Sequence, residues 1–155
     1  MKPEAKRASA VPPLELETFL PYRLSVLSNT VSGKIARSYE KQFGLSIPEW
    51  RVMAVLGRFA GLTAAEVTER TAMDKVQVSR AVARLQSAGR IEQQTVDGDR
   101  RSRHLFLTTR GQADYNAIVP IARDYERRLA CTLSVAERAQ LDTLLDKLSA
   151  AAATL

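Results

Sequence analysis

The sequence of 155 residues is poor in the residues that form covalent frameworks, with one cysteine, Cys131, and one histidine, His104. A single cysteine excludes a disulfide framework and a cysteine-based zinc site within the chain, and it is typical of a reducing compartment. No run approaches the roughly 18 consecutive apolar residues that a membrane-spanning helix needs. The N-terminus also lacks the apolar stretch of a secretory signal. We therefore expect a cytoplasmic protein without a membrane partner.

The sequence also lacks the residue combinations that carry catalysis. His104 has no nucleophile near it in the sequence, no glycine-rich phosphate loop is present, and the scattered serines and aspartates match no triad motif. One histidine and one cysteine are too few for the clustered ligands of a metal-sensing site. We therefore expect neither an enzyme nor a protein that depends on a metal or cofactor.

What the chain does contain is a concentrated basic charge. The net charge is +6, from 23 basic and 17 acidic residues. Residues 75–103 carry seven basic and three acidic side chains, and residues 1–10 carry three basic side chains and one acidic one, whereas the rest of the chain is balanced. A surplus confined to so short a segment indicates one docking surface for a polyanion.

The apolar residues of the N-terminal part predict one long helix. Residues 1–13 hold three prolines and no periodicity, so we interpret them as a flexible basic arm. A stripe at steps of three and four predicts a helix over 16–43; its members are Leu16, Leu20, Leu24, Leu27, Val31, Ile35 and Tyr39. Such a helix is too long for a small domain to cover alone, so we expect it to pack against a partner.

Three shorter helices and a hairpin follow. The predicted helices cover about 48–58, 64–71 and 75–88, and the predicted strands cover 91–96 and 104–108. Thr63 and Glu66 have the spacing of a capping box, Asp74 is a suitable cap for the third helix, and Gly89 ends it. Asp97-Gly98 between the two extended stretches is a strong hairpin signal.

Two further helices are predicted at the C-terminal end. The first begins at Thr108 or Thr109 and reaches about Cys131, and Pro120 inside it predicts a kink near 116–120 rather than two separate helices. The spacing of Ser134 and Glu137 is that of a second capping box. It opens a last helix with an apolar row at Leu141, Leu144, Leu145 and Leu148.

Helix, turn, helix and hairpin, with charge on the second helix and the hairpin, predict a mainly α protein with a winged helix-turn-helix. The third helix turns Val78, Val82 and Leu85 inward, so short and polar side chains face outward, where they can reach base edges in a major groove. An arginine on the thin hairpin tip suits a narrow minor groove, and the candidates are Arg100, Arg101 and Arg103; Asp99, two residues before Arg101, can orient it by a salt bridge. The predicted DNA-binding residues are Thr63, Lys75, Val76, Gln77, Ser79, Arg80, Arg84, Arg100, Arg101 and Arg103.

Five segments of the chain together resemble the MarR family of bacterial transcriptional regulators. They are LSIPEWRVM at 45–53, LTAAEV at 62–67, MDKVQVSRAVARLQSAG at 73–89, DGDRRSR at 97–103 and LTTRG at 107–111. The resemblance extends over about 16–150. It implies a homodimer whose interlocked helices come from 14–43 and 109–155, with the winged helix-turn-helix in 44–108. In that family the wing motif Asp-x-Arg, here Asp99 and Arg101, supplies the minor-groove arginine.

The resemblance also implies regulation by a ligand. Members commonly act as repressors that leave a palindromic operator when a small, often aromatic or phenolic, effector binds between the lobes and the dimer helices. Tyr39 and Trp50 are candidates for such a pocket, although both also fit ordinary core or interface stripes. No other part of the sequence indicates the effector.

Two alternatives stay open. Cys131 fits either a small buried apolar side chain or a thiol redox sensor. The peroxide-sensing branch of the family has its cysteine near the start of the first long helix, and 14–43 contains none, which favours the buried side chain. A module whose basic face binds an acidic protein instead of DNA is the other alternative.

Overall fold

The computed structural model of the protein describes residues 11–96 and 99–155, and its description of 96 and 99–101 is confined to the backbone. The first ten residues of the predicted arm therefore lie outside the described residues, as do Asp97 and Gly98. The elements in chain order are α1 (Leu20–Phe43), α2 (Ile47–Arg58), β1 (Leu62–Thr63), α3 (Ala64–Arg70), α4 (Lys75–Ser87), β2 (Ile91–Val96), β3 (Asp99–Leu107), α5 (Thr109–Ala130) and α6 (Val135–Ala152). This mainly helical architecture with a small antiparallel sheet confirms the predicted winged-helix fold.

Four of the described helices begin with a capping box. In each box the cap side chain accepts a hydrogen bond from the backbone N–H three residues on, and the side chain of that residue accepts one from the backbone N–H of the cap. The boxes at Thr63–Glu66 and Ser134–Glu137 confirm their predictions. Asp74 caps α4 as predicted and forms a box with Gln77. The box of Ser46 and Glu49, which opens α2, was not predicted, and it begins α2 one residue earlier than expected.

The sheet has the order β1-β3-β2. The predicted strand at 104–108 is corrected by β3, which begins at Asp99 and ends at Leu107, with Val96 paired to Asp99 next to an irregularity in the register. Residues 99–103 are all polar and show no alternation of apolar and polar side chains. The sequence pattern therefore could not predict that β3 extends back to the turn. Strand β1 was missed because two residues have no period; it pairs Leu62 with Leu105.

The long helices differ from their predictions mainly at one end. Helix α1 begins at Leu20 rather than near Leu16, and a separate turn precedes it, in which the Phe19 backbone N–H donates to the Glu15 carbonyl at 3.1 Å. Helix α5 passes through Pro120 as one helix, as predicted. The kink itself stays a prediction. None of the described helices is both long and apolar enough to cross a membrane.

The chain divides into two compact units, residues 1–34 and residues 35–155. In the first unit, the α1 side chains of Leu20, Leu24 and Leu27 are exposed. In the second unit, the predicted inward face of α4 is confirmed, since Val78, Val82 and Leu85 are all buried. They pack in one core with residues of α2, β3 and α5, including Met53, Leu56, Leu105 and Ile118.

Candidate nucleic-acid interface

The outward face of α4 is a continuous exposed surface. All of the predicted α4 site residues lie on it, together with Ala83: Lys75, Val76, Gln77, Ser79, Arg80 and Arg84. Three of these carry a positive charge, and no acidic residue occurs within α4. The structure therefore brings this part of the predicted site together on one helix.

Helix α4 stands as a ridge between two recesses. On one flank a groove of about 540 Å³ separates it from α3 and β2, and small side chains such as Ala64, Ala65, Ser79 and Ala83 leave that space open. On the other flank a recess of about 210 Å³ lies between the start of α2, with its cap Ser46 and Pro48, and the arginines Arg80 and Arg84. A ridge with open flanks is the shape that enters a DNA major groove, which is about 12 Å wide.

The first turn of α4 uses one of the predicted base-reading groups for its own cap. The backbone N–H of Gln77 donates to Asp74 Oδ1 at 2.8 Å, and Gln77 Oε1 accepts from the Asp74 N–H at 3.1 Å. The amide oxygen of Gln77 is thus committed to the helix start. A contact with a base edge would fall to its amide nitrogen.

Thr63 is held in the same manner at the start of α3. Its Oγ1 accepts from the Glu66 N–H at 3.3 Å and donates to Glu66 Oε2 at 2.9 Å. The Thr63 backbone N–H and then its hydroxyl, both of which donate to the Glu66 carboxylate, lower the pKa of Glu66 from its ordinary value. The capping role of Thr63 is confirmed, and its contact with DNA stays a prediction.

The wing contributes a second basic element. Arg103 is exposed on β3. The side chains of Asp99, Arg100 and Arg101 lie outside the described residues, so the minor-groove contact and its orientation by Asp99 stay predictions. His104 is held at the base of the wing, with Nδ1 2.8 Å from the backbone oxygen of Gly61.

One basic residue of the 75–103 segment does not belong to this surface. Arg90, between α4 and β2, is buried, and its Nε donates to Asp114 Oδ2 of α5 at 2.7 Å. The basic surplus counted from the sequence therefore includes a paired core residue. The sequence could not reveal this, because Asp114 is 24 residues away.

Tyr39 and Trp50 lie in the core of the second unit. Tyr39 is 1% exposed, and its ring lies 5.7 Å from that of Trp50, which in turn stacks on Tyr115 at 6.0 Å. Tyr115 was missed by the sequence reasoning; Gly57 makes room for it, because a Cβ there would lie 2.4 Å from the tyrosine ring. Burial raises the pKa of Tyr39 to about 12. The two residues have the packing role that the sequence also allowed, and an effector contact stays a prediction.

The expected burial of Cys131 is wrong. Cys131 is exposed at the C-cap of α5, where its thiol donates to the Arg128 carbonyl at 3.0 Å. Within the described ranges, no group of three or more His, Cys, Asp and Glu side chains could hold a metal ion.

Comparison with known proteins points to one family. Residues 43–102 match the family model of MarR. A transcriptional repressor of Mycobacterium tuberculosis is 24% identical over 131 residues, which cover 84% of this chain and 91% of the relative. The crystal structure of a MarR/EmrR family regulator from Acinetobacter sp. ADP1 superposes with a TM-score of 0.85 at 27% identity, over 92% of this chain and all of that one. The chain is thus similar to MarR-family regulators in its helix-turn-helix segment and in its fold.

A further MarR structure, a variant from E. coli complexed with operator DNA, has the same fold. Its TM-score is 0.75 at 24% identity, over 88% of this chain and 99% of that one. The matched relatives and the structures with this fold are transcriptional regulators, which agrees with the function predicted from the sequence.

Proposed function

We propose that this MarR-family regulator binds a palindromic operator in double-stranded DNA as a homodimer and represses transcription until an effector releases it. The observation that carries the proposal is the basic ridge of α4, exposed along its outward face and open on both flanks. The E. coli relative bound to operator DNA supports the same use of this fold.

Each basic element has its own part in the proposed complex. The N-terminal turns of α4, with Lys75, Ser79 and Arg80, explore base edges and nearby phosphates. Arg84 and Arg103 contact phosphates of the DNA backbone. Such contacts position the protein without specifying the base sequence. Arg101 enters the minor groove beside the base pairs that α4 reads.

Exposed leucines support the homodimer. On α6 the four leucines of the predicted apolar row, which are Leu141, Leu144, Leu145 and Leu148, are between 38 and 48% exposed, and no residue of that helix is buried. A monomer rarely leaves such a row open to water. Within the first unit, a groove of about 520 Å³ is lined by Leu16, Leu20, Leu24 and Leu27. A second copy that interlocks these helices would cover both surfaces.

DNA binding is tested by fluorescence anisotropy with operators selected from genomic fragments. Arg84→Ala and Arg101→Ala should each weaken binding by about 1–3 kcal/mol, as expected for a lost charged contact to DNA. Arg127→Ala, at an exposed arginine near the end of α5, removes the same charge outside the helix-turn-helix and should leave affinity unchanged. Equal loss in all three variants would indicate a general charge effect, and no loss in any would refute the interface.

The salt dependence of the binding constant distinguishes DNA from an acidic protein partner and gives the number of phosphate contacts. Each phosphate contact adds about −0.9 to the slope of log K against log salt for duplex DNA. We expect a steep slope for the wild type that Arg84→Ala reduces by about one contact. A flat dependence would instead favour the interaction-module alternative.

The effector we propose is a small aromatic or phenolic molecule that binds between the DNA-binding lobe and the dimer helices. Its test is release of the labelled operator by a panel of such compounds. The exposure of Cys131 keeps a thiol-based signal as a second candidate. Peroxide treatment of the wild type and of Cys131→Ser separates them, because only the thiol mechanism predicts release that the variant abolishes.

A further inference from the structure

Arg90 lies between the last turn of α4 and the first residue of β2, and its side chain bonds to two other helices. Nε donates to Asp114 Oδ2 of α5 at 2.7 Å, and Nη2 donates to the backbone oxygen of Phe43 at 2.5 Å. Phe43 is the last residue of α1, where carbonyls have no partner within the helix and carry partial negative charge. One guanidinium therefore joins the end of α1 to the first turns of α5.

The main chain of Arg90 bonds to two further places. Its N–H donates to the Leu85 carbonyl at 2.9 Å, which closes the end of α4 around Gly89 in the left-handed conformation. Its carbonyl accepts from the Thr108 N–H at 3.0 Å, at the start of α5. Helix α5 approaches so closely that a Cβ on Gly111 would lie 1.9 Å from the Arg90 oxygen.

The bonds of this one residue thus fix the end of α4 against α1 and α5. We infer that Arg90 is a positioning residue that sets the orientation of α4 relative to those two helices, and through them the spacing of the two α4 helices in the dimer. The inference rests on the proposed function, in which α1 and α5 belong to the dimer and α4 reads DNA. Arg90 itself touches no DNA in this scheme.

The chemistry of the pair favours a role in geometry over one in stability. The Arg90 and Asp114 side chains are 11 and 20% exposed, and a buried ion pair repays little more than the cost of removing its charges from water. The two hydrogen bonds of the Arg90 guanidinium leave its plane-bound N–H groups in fixed directions. They therefore define the angle between the bonded helices as well as the distance between them. Lysine has one nitrogen and cannot reproduce that fork.

The test compares operators with altered spacing. Half-sites read by successive major grooves lie about 10 bp apart, and each added base pair rotates one half-site away from its α4 helix. We expect Arg90→Lys and Asp114→Asn to bind the native operator about tenfold more weakly, within the range of coupling changes that such networks show. Binding to the operator with a one-base-pair insertion and to nonspecific duplex DNA should be unchanged, so the preference for native spacing over the insertion falls by the same factor.

Arg128→Lys is the matched control. Arg128 pairs with Asp124 one turn away on α5 at 3.2 Å, and both side chains are largely exposed. The same substitution there should keep the wild-type preference for spacing. Equal weakening of native, altered and nonspecific DNA by Arg90→Lys would overturn the inference, as would an unchanged preference in both Arg90→Lys and Asp114→Asn.

A measurement without DNA separates this inference from the proposed function. A spin label at Ala83→Cys, in a Cys131→Ser background, reports the distance between the two exposed faces of α4. We expect Arg90→Lys to broaden the distance distribution in a dimer of normal helix content, and Asp114→Asn serves if Arg90→Lys fails to fold. If the distance distribution of Arg90→Lys is as narrow as that of the wild type, the positioning role is refuted, even when the wild type binds its operator normally. Failure of the wild type to bind any operator would refute only the proposed function.

Discussion

At the scale of single residues, Gly111 is the described glycine at which an added Cβ would make the closest contact, with the backbone oxygen of Arg90. A methyl group at Gly111 would meet a backbone oxygen, which cannot rotate away as a flexible side chain can. The same oxygen accepts the Thr108 N–H, so any shift that relieves the contact also disturbs the start of α5. The absence of one side chain therefore allows α5 to begin against the Arg90 carbonyl.

Gly111→Ala should lower the free energy of unfolding by about 1–3 kcal/mol, since overpacking outweighs the gain in helix propensity. Chemical denaturation measures the change. Gly33→Ala is the matched control, because a Cβ there meets nothing within 4 Å and the helix interior gains about 0.5–1 kcal/mol from alanine. Equal effects at the two glycines would contradict the close approach.

Tyr39 gives a prediction for alkaline pH. Its folded pKa, about 12, lies above the ordinary value of 10.0 because burial disfavours the phenolate. The stability it contributes is complete below pH 10 and is lost as pH rises toward 12, by about 2 kcal/mol. In Tyr39→Phe, the denaturation midpoint should fall less between pH 10 and 12 than in the wild type. In Tyr22→Phe, which changes an exposed tyrosine, the midpoint should fall as much as in the wild type. The same decline in Tyr39→Phe would contradict the assignment.

At the scale of elements, the starts of α2, α3, α4 and α6 each use a carboxylate or an amide that lies three residues beyond the cap. Helix α6 shows this most simply, because none of its residues is buried. Its Ser134 N–H donates to Glu137 Oε2 at 2.7 Å, and Ser134 Oγ accepts from the Glu137 N–H at 3.3 Å. The cap is therefore the main local support of the α6 start in the single chain.

Acid should loosen the α6 start. The bonds from Ser134 lower the pKa of Glu137 from its ordinary value of 4.5. A depressed carboxyl pKa contributes stability above the ordinary value, and that stability is lost as pH falls through the folded pKa. We expect the amide signals of Ser134 and Glu137 to shift together below about pH 4.5. Glu137→Gln should remove this transition; an identical transition in the variant would contradict it.

These elements also show how much of the structure local sequence patterns contain. The capping boxes of α3 and α6, the Asp74 cap and the core face of α4 depend on neighbours within a few residues, so the sequence predicted them. The hairpin was predicted with its first strand at the observed bounds, but its second strand begins five residues earlier than expected. The short strand β1 and the buried Arg90–Asp114 pair depend on contacts between distant segments, which one sequence does not display. Cys131 was wrongly expected to be buried, because the periodicity of a helix does not show at which residue its apolar face is no longer covered by the rest of the chain.

At the scale of the whole molecule, the basic surplus and the leucine rows lie on different elements. The exposed basic residues of the 75–103 segment lie on α4 and β3, whereas rows of exposed leucines lie on α1 and α6. In the proposed dimer, two basic helices would bind one operator because the leucine rows hold the copies together. DNA affinity should then depend on residues that never approach DNA, through the gain from linking two binding sites.

Substitution of the α6 leucines tests that dependence. Leu141→Glu with Leu145→Glu places charges within the proposed interface, and light scattering should then give 17.1 kDa rather than twice that mass. Affinity for the full palindrome should fall about 100-fold, toward that of one half-site, because avidity is lost. Val135→Glu is the matched control, since Val135 is 87% exposed on the same helix and outside the leucine row. A double variant that stays dimeric, or a monomer with undiminished affinity for the palindrome, would contradict the proposed architecture.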